Sequence, residues 1–254
     1  MEKVTIKVMT SSQASPQILH ADQEHAGLRT AVFFLLFITL VAAFFGIRAL
    51  LTALSPVGTP DYAFVASCAG ALPLALFLVW LAEMGLKRHW PSGRSITLTN
   101  DGLHMQTETD KQWQITQGQE IVPLFYYFEM RGWPRGGRER RVPRTWLCLA
   151  VEVKAGKKQA IAFTFMPPNK ARSWLDTAVG PAQFHQIQPR DVYGKSIRAR
   201  MSVPSRPEIP AAVLTGADGS YWLAERRRWT EGFELTTKQF EQFMNHIQTT
   251  LLEL

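Results

Sequence analysis

The sequence predicts an α+β membrane protein: a two-helix transmembrane hairpin, then a strand-rich polar domain that ends in an amphipathic helix. Three observations predict it. Only two charged residues, Arg48 and Asp61, stand among the 52 residues from Ala31 to Ala82, whereas the other 202 residues carry 47 of the 49 charges. Short runs of period-two alternation separated by turn residues recur from Ser95 to Phe165. Apolar residues at helical spacing close the chain between Phe240 and Leu252. A hydrophobic content of 46% over 254 residues excludes collagen-like, disordered and disulfide-scaffold classes. Cys68 and Cys148 read as small buried hydrophobes and are too few for a thiolate metal site.

The chain divides into an N-terminal segment (1–29) with a candidate strand Val4–Val8, a hairpin (30–86) and a C-terminal domain (87–254). Thr30–Leu54 would extend about 37 Å as a helix, and Tyr62–Ala82 is charge-free for 21 residues, so each is long enough to cross the hydrocarbon. The Pro- and Gly-containing connection Ser55–Pro60 sets the helices antiparallel. Ala42 with Gly46, Ala66 with Gly70, and Ser67 with Ala71 have the four-residue spacing that allows close helix packing. Pro73 predicts a kink in the second helix. Arg48 reads as an interfacial anchor paired with Asp61, and Glu83 with Lys87 as a helix-surface pair. Lys3, Lys7 and Arg29 precede the hairpin and Lys87, Arg88 and Arg94 follow it, while its tip has no basic residue; both termini are therefore expected to be cytoplasmic.

In the C-terminal domain Ser95–Thr99 and Leu103–Thr107 alternate around the turn Asn100-Asp101-Gly102, a hairpin signal. Further strands are expected at Ile121–Met130, Thr145–Val153, Gln159–Phe165, Ser196–Val203 and Ser220–Ala224. A short helix is expected over Lys170–Ala178, between Pro168 and Gly180, and a last helix is opened by a capping box of Thr236 with Gln239.

Two apolar helices, the hairpin Ile96–Leu103, about seven strands and a terminal amphipathic helix together resemble the bacterial pleckstrin-homology-like membrane proteins. The strand-like Val4–Val8 before the first helix is similar to the YcxB-like members. The resemblance implies an antiparallel PH-like β-barrel or sandwich on the cytoplasmic side of the inner membrane. Two departures stand out: the stretch 181–210 with its Pro204–Pro210 segment, a rigid surface connection by composition, and the first strand turn, which lacks the basic residues that hold inositol phosphates in eukaryotic pleckstrin-homology domains.

The net charge of +7 belongs to the C-terminal part, where residues 89–254 hold 22 Lys/Arg against 16 Asp/Glu. Its densest run, Arg131 to Arg144, holds six arginines (Arg131, Arg135, Arg138, Arg140, Arg141, Arg144) with Trp133 among them. Arg226, Arg227 and Arg228 lie between Trp222 and Trp229. These residues are the expected contact surface for anionic phospholipid headgroups, each basic group at a leaflet contributing about 1 kcal/mol, or for an acidic protein partner. No nucleophile elbow, phosphate loop, metal-spaced His pair, cofactor motif or nucleic-acid motif is found. The expected function is therefore a non-enzymatic scaffold or accessory subunit of an inner-membrane complex. The alternative is a lipid-modifying or hydrolytic membrane enzyme without a recognisable motif.

Overall fold

A computed structural model describes residues 16–54, 60–131, 142–177, 183–189, 192 and 209–252. The expected strands at Val4–Val8 and Ser196–Val203 lie outside them, as does the Pro-rich segment up to residue 208. The chain forms two compact units, one of Asp22–Ser92 and one built from the described residues on either side.

The first unit is the apolar hairpin. Helix α1 spans Ala26–Leu54 and α2 spans Pro60–His89, running through Pro73. Each extends beyond its charge-free run because polar ends tie the two helices together. His25 Nδ1 accepts the Leu28 N–H at 3.2 Å, capping α1, so its other ring nitrogen is the donor to the Trp90 carbonyl at 3.2 Å. Lys87 joins Glu83 at 2.8 Å, the expected pair, and also Glu24 at 3.1 Å. The buried face of α2 repeats every fourth residue through Ala63, Ser67, Ala71, Ala75 and Val79, against a face of α1 that buries Ala43. Ser67 and Ala71 are thus where their spacing puts them, and Ala66 and Gly70 are half-buried. Ala42 and Gly46 are exposed instead, since the seam of α1 runs one residue further on. Large side chains point outward: Phe33, Phe37, Phe45, Leu72, Phe77 and Trp80 are each more than half exposed. Cys68 is exposed too, contrary to its expected burial, because its neighbour Ser67 takes the seam; Cys148 is buried as expected. The Asp61 side chain falls outside the described residues, and with it the suggested pair with Arg48.

The second unit holds two sheets. One is an antiparallel run β1-β2-β3-β4, with β1 at Gln17–His20, β2 at Ser95–Thr99, β3 at Gly102–Gln106 and β4 at Gln112–Thr116. The other has β5 (Ile121–Glu129), β6 (Leu147–Ala155) and β7 (Lys158–Met166) as an antiparallel meander, edged by the two-residue parallel strands β8 (His185–Gln186) and β9 (Phe233–Glu234). No ladder joins the sheets among the described residues. The Trp113 indole N–H donates to the Gln159 carbonyl at 2.8 Å where β4 meets β7. The form observed is thus two sheets, not a closed barrel.

The hairpin unit is spliced between neighbouring strands: β1 pairs with β2 in the register Gln17↔Leu98 to His20↔Ser95. Leu19, Ile96, Leu103, Met105 and Ile115 face Phe125, Leu149, Val151 and Val153 across the sandwich. The last helix, α6 (Thr237–His246), adds Phe240, Phe243 and Met244 to this core and continues in a wider turn, Ile247–Leu251; its capping box of Thr236 and Gln239 is formed as expected. Helix α3 spans Pro168–Thr177, close to its expected bounds.

Two short helices complete the unit, α4 (Ala211–Leu214) and α5 (Gly219–Glu231). The expected strand Ser220–Ala224 is the start of α5. Trp222, Glu225 and Arg228 recur at three-residue steps on its buried face, a helical period hidden in the sequence because two of the three are charged. Helix α5 covers the outer side of the second sheet over Tyr126, Phe128, Cys148, Ala150, Phe163 and Phe165. The meander is therefore buried on both faces, which is why β6 reads as a nearly continuous apolar run.

His246 on α6 lies 3.2 Å from the Gly102 carbonyl oxygen. Burial lowers its pKa below the ordinary 6.5, and the carbonyl bond only partly opposes this. The unfolded chain then takes up the proton more readily, so this contribution to stability is complete above pH 6.5 and declines as pH falls below it. Thermal unfolding at pH 7.5 and 5.5 should show a smaller loss on acidification in His246→Gln than in the parent chain; equal losses would contradict the assignment.

Candidate functional site

Those of the basic residues singled out by composition that are described do not form one surface. Trp133, Arg135, Arg138, Arg140 and Arg141 lie outside the described residues. Arg131 is exposed beside Glu129 at 3.4 Å, and Arg144 is exposed. Both flank the connection between β5 and β6, whose ladder ends at Glu129↔Leu147 and runs to Ile121↔Ala155 at the far end. Nine-residue strands span about 30 Å, so this Arg-rich connection leaves one end of the sheet and the β6–β7 turn occupies the other.

The second cluster divides residue by residue, and two of its three members are not surface contacts. Arg226 is exposed. Arg227 is drawn down by Glu152, a fully buried carboxylate on β6, through bonds of 2.6 and 2.8 Å, with Lys154 3.2 Å from the same group. Arg228 is 1% exposed, forms a two-bonded pair with Glu225 at 2.6 and 2.7 Å, and lies over the Phe163 ring at 4.4 Å. The Tyr126 hydroxyl donates to Glu225 at 3.2 Å. Burial, reinforced by the Glu225 charge, pushes that phenol well above its ordinary pKa, so it remains a donor at any physiological pH. These arginines hold α5 onto the sheet.

The open end of the sandwich carries a different basic site. A cleft of about 570 Å³ lies between the β3–β4 turn and the β6–β7 turn, with Lys111 supplied by the first and Lys157 and Lys158 by the second. Both turns are set by backbone geometry: Asp110 adopts φ +54° and Gly156 φ +59°. Trp113 forms an aromatic wall, and the Thr107 and Thr109 hydroxyls lie 3.2 Å apart on the rim. Arg94, expected only as one of the basic residues that follow the second helix, also lines the cleft. It is 4% exposed, donates to the Glu231 and Gly232 carbonyls, and lies over the Phe233 ring at 4.3 Å. Sequence reasoning missed this site because Lys111 and Lys158 are far apart in the chain and meet only through the β3–β4 and β6–β7 registers and the Trp113–Gln159 bond.

A second chemistry-bearing pair was also missed. His185 on β8 bonds Asp218, just before α5, at 2.9 Å and stacks on Tyr221 with ring centroids 4.1 Å apart. Among the described residues no serine, threonine or cysteine is hydrogen-bonded to His185, and none form a three-ligand metal group. Compared with protein-family models, curated proteins and solved structures, the chain matches none.

Proposed function

We propose that this chain is a bacterial inner-membrane protein whose helical hairpin anchors a PH-like β-unit on the cytoplasmic side, where it works by binding, as an accessory or assembly subunit of a membrane complex and without a catalytic role. In this proposal the Arg-rich connection between β5 and β6 meets an acidic partner. The observation that carries it is the inverted packing of the hairpin, with alanine and serine inside and phenylalanine, leucine and tryptophan outside. In water that arrangement would leave an apolar surface far larger than soluble monomers expose, whereas in lipid it is the favoured one. The hydroxyls support it: Thr39, Thr52 and Ser67 each donate to the carbonyl four residues back, at 2.8, 2.8 and 2.6 Å, and so need no water. The pairing of β1 with β2 supports an even number of crossings, because strands flanking the hairpin share one sheet. Two sheets with a helix over the core are also consistent with the PH-like resemblance.

The test is membrane extraction combined with topology. Alkaline carbonate should leave the full chain in the membrane pellet, and a reporter inserted at Gly58 should face the compartment opposite to one fused after Leu254. Release by carbonate, or two reporters on the same side, would overturn the proposal.

A further inference from the structure

We propose that the cleft between the β3–β4 and β6–β7 turns binds a phosphate group, carried by an anionic lipid headgroup or by a small phosphate ester. Lys111, Lys157 and Lys158 converge on it, each is exposed, and none forms an ion pair among the described residues. The other charges lining the cleft are already engaged or outnumbered. Arg94 is spent on backbone carbonyls, and the two carboxylates of the lining, Glu108 and Glu231, the latter accepting the Gln159 side-chain N–H at 3.0 Å, are outnumbered by the three ammonium groups. Three like charges brought to one cleft by two turns repel one another, and a bound anion relieves that repulsion. An ammonium is a point-charge phosphate binder with three donors, so three of them with the rim hydroxyls suit a tetrahedral oxyanion.

The volume of about 570 Å³ lies within the range of small-ligand pockets. Trp113 offers a wall for the apolar stem of the ligand. The chain enters the β-unit here, since Arg94 follows the end of α2 at His89 by five residues. A headgroup source rests on the membrane-anchored function proposed above; the phosphate site itself does not.

The test uses the full chain in uncharged detergent and reads amine acylation lysine by lysine by mass spectrometry. Water-soluble short-chain phosphatidylglycerol, short-chain phosphatidylcholine and glycerol phosphate are titrated separately, with exposed Lys170 on α3 as the internal control. Protection of Lys157 and Lys158 by phosphatidylglycerol alone assigns the lipid source, and protection by glycerol phosphate assigns a soluble ester. Protection by neither, or equally by phosphatidylcholine, overturns the proposal. Lys111→Gln should raise the half-protecting concentration about fivefold, the value of one basic group at an anionic surface; no change would also overturn it. Carbonate extraction and the reporters depend on none of these lysines, so failure here is distinct from failure of the anchor.

Discussion

Arg228→Ala is expected to destabilise the β-unit by about 3–5 kcal/mol, whereas Arg226→Ala, two residues away, stays within about 0.5 kcal/mol. In the sequence the two arginines are equivalent members of one basic triplet. In the fold, Arg226 is solvated, and Arg228 supplies the counter-charge to a carboxylate that is itself 3% exposed while covering Phe163. Truncating it strips a buried charge of its two-bonded partner and opens a void against the aromatic rings. Thermal unfolding of the full chain should show a fall in the β-unit Tm of roughly 10 °C for Arg228→Ala and a degree or so for Arg226→Ala. The double variant Glu225→Leu with Arg228→Met should recover most of the loss, because apolar residues of similar volume often replace a buried pair at little cost. Equal effects at the two arginines would refute the burial of Arg228.

Gly102→Ala should cost about 3 kcal/mol or more, from overpacking together with backbone strain. Gly102 closes the first β-turn at φ +153°, and a methyl group there would overlap the Ile115 carbonyl oxygen on β4. The β3–β4 ladder would have to open, and the Gly102 carbonyl that faces His246 would move with it. Gly118 is the control: its φ is +89° but its missing side chain meets nothing within 4 Å, so Gly118→Ala should incur only backbone strain of about 1 kcal/mol. Comparable losses at the two glycines would show that close approach to β4 does not matter.

Local chemistry made the first β-hairpin, the capping box of α6 and the two apolar helices readable from residues alone. Turn type, cap and lipid-compatible length are each decided within a few neighbours. Four strands escaped because their signal is thin: β8 and β9 are two residues each, β1 places only Leu19 in the core, and β4 only Ile115 with Trp113 half-buried beside it, between glutamines that face outward. Helix α5 was misread because a face that buries Glu225 and Arg228 does not look apolar, and Tyr221-Trp222-Leu223 after Asp218-Gly219 imitates a strand. The site was less legible than the fold. Density along the chain pointed to arginines, of which Arg227 and Arg228 turn inward, while the lysine cleft depends on register between strands that no local window contains.

The splicing of the hairpin between β1 and β2 also orders events during biosynthesis. β1 leaves the ribosome first, yet its partner follows only after both helices, some 75 residues later. At roughly 5–20 residues per second this delay is about 4–15 s. Throughout it β1 is an open edge without its mate, and only a hairpin that has returned to its starting side can deliver β2 to it. If the hairpin crosses the membrane as proposed, completion of that first sheet acts as a built-in checkpoint, coupling maturation of the polar half to correct insertion of the greasy one.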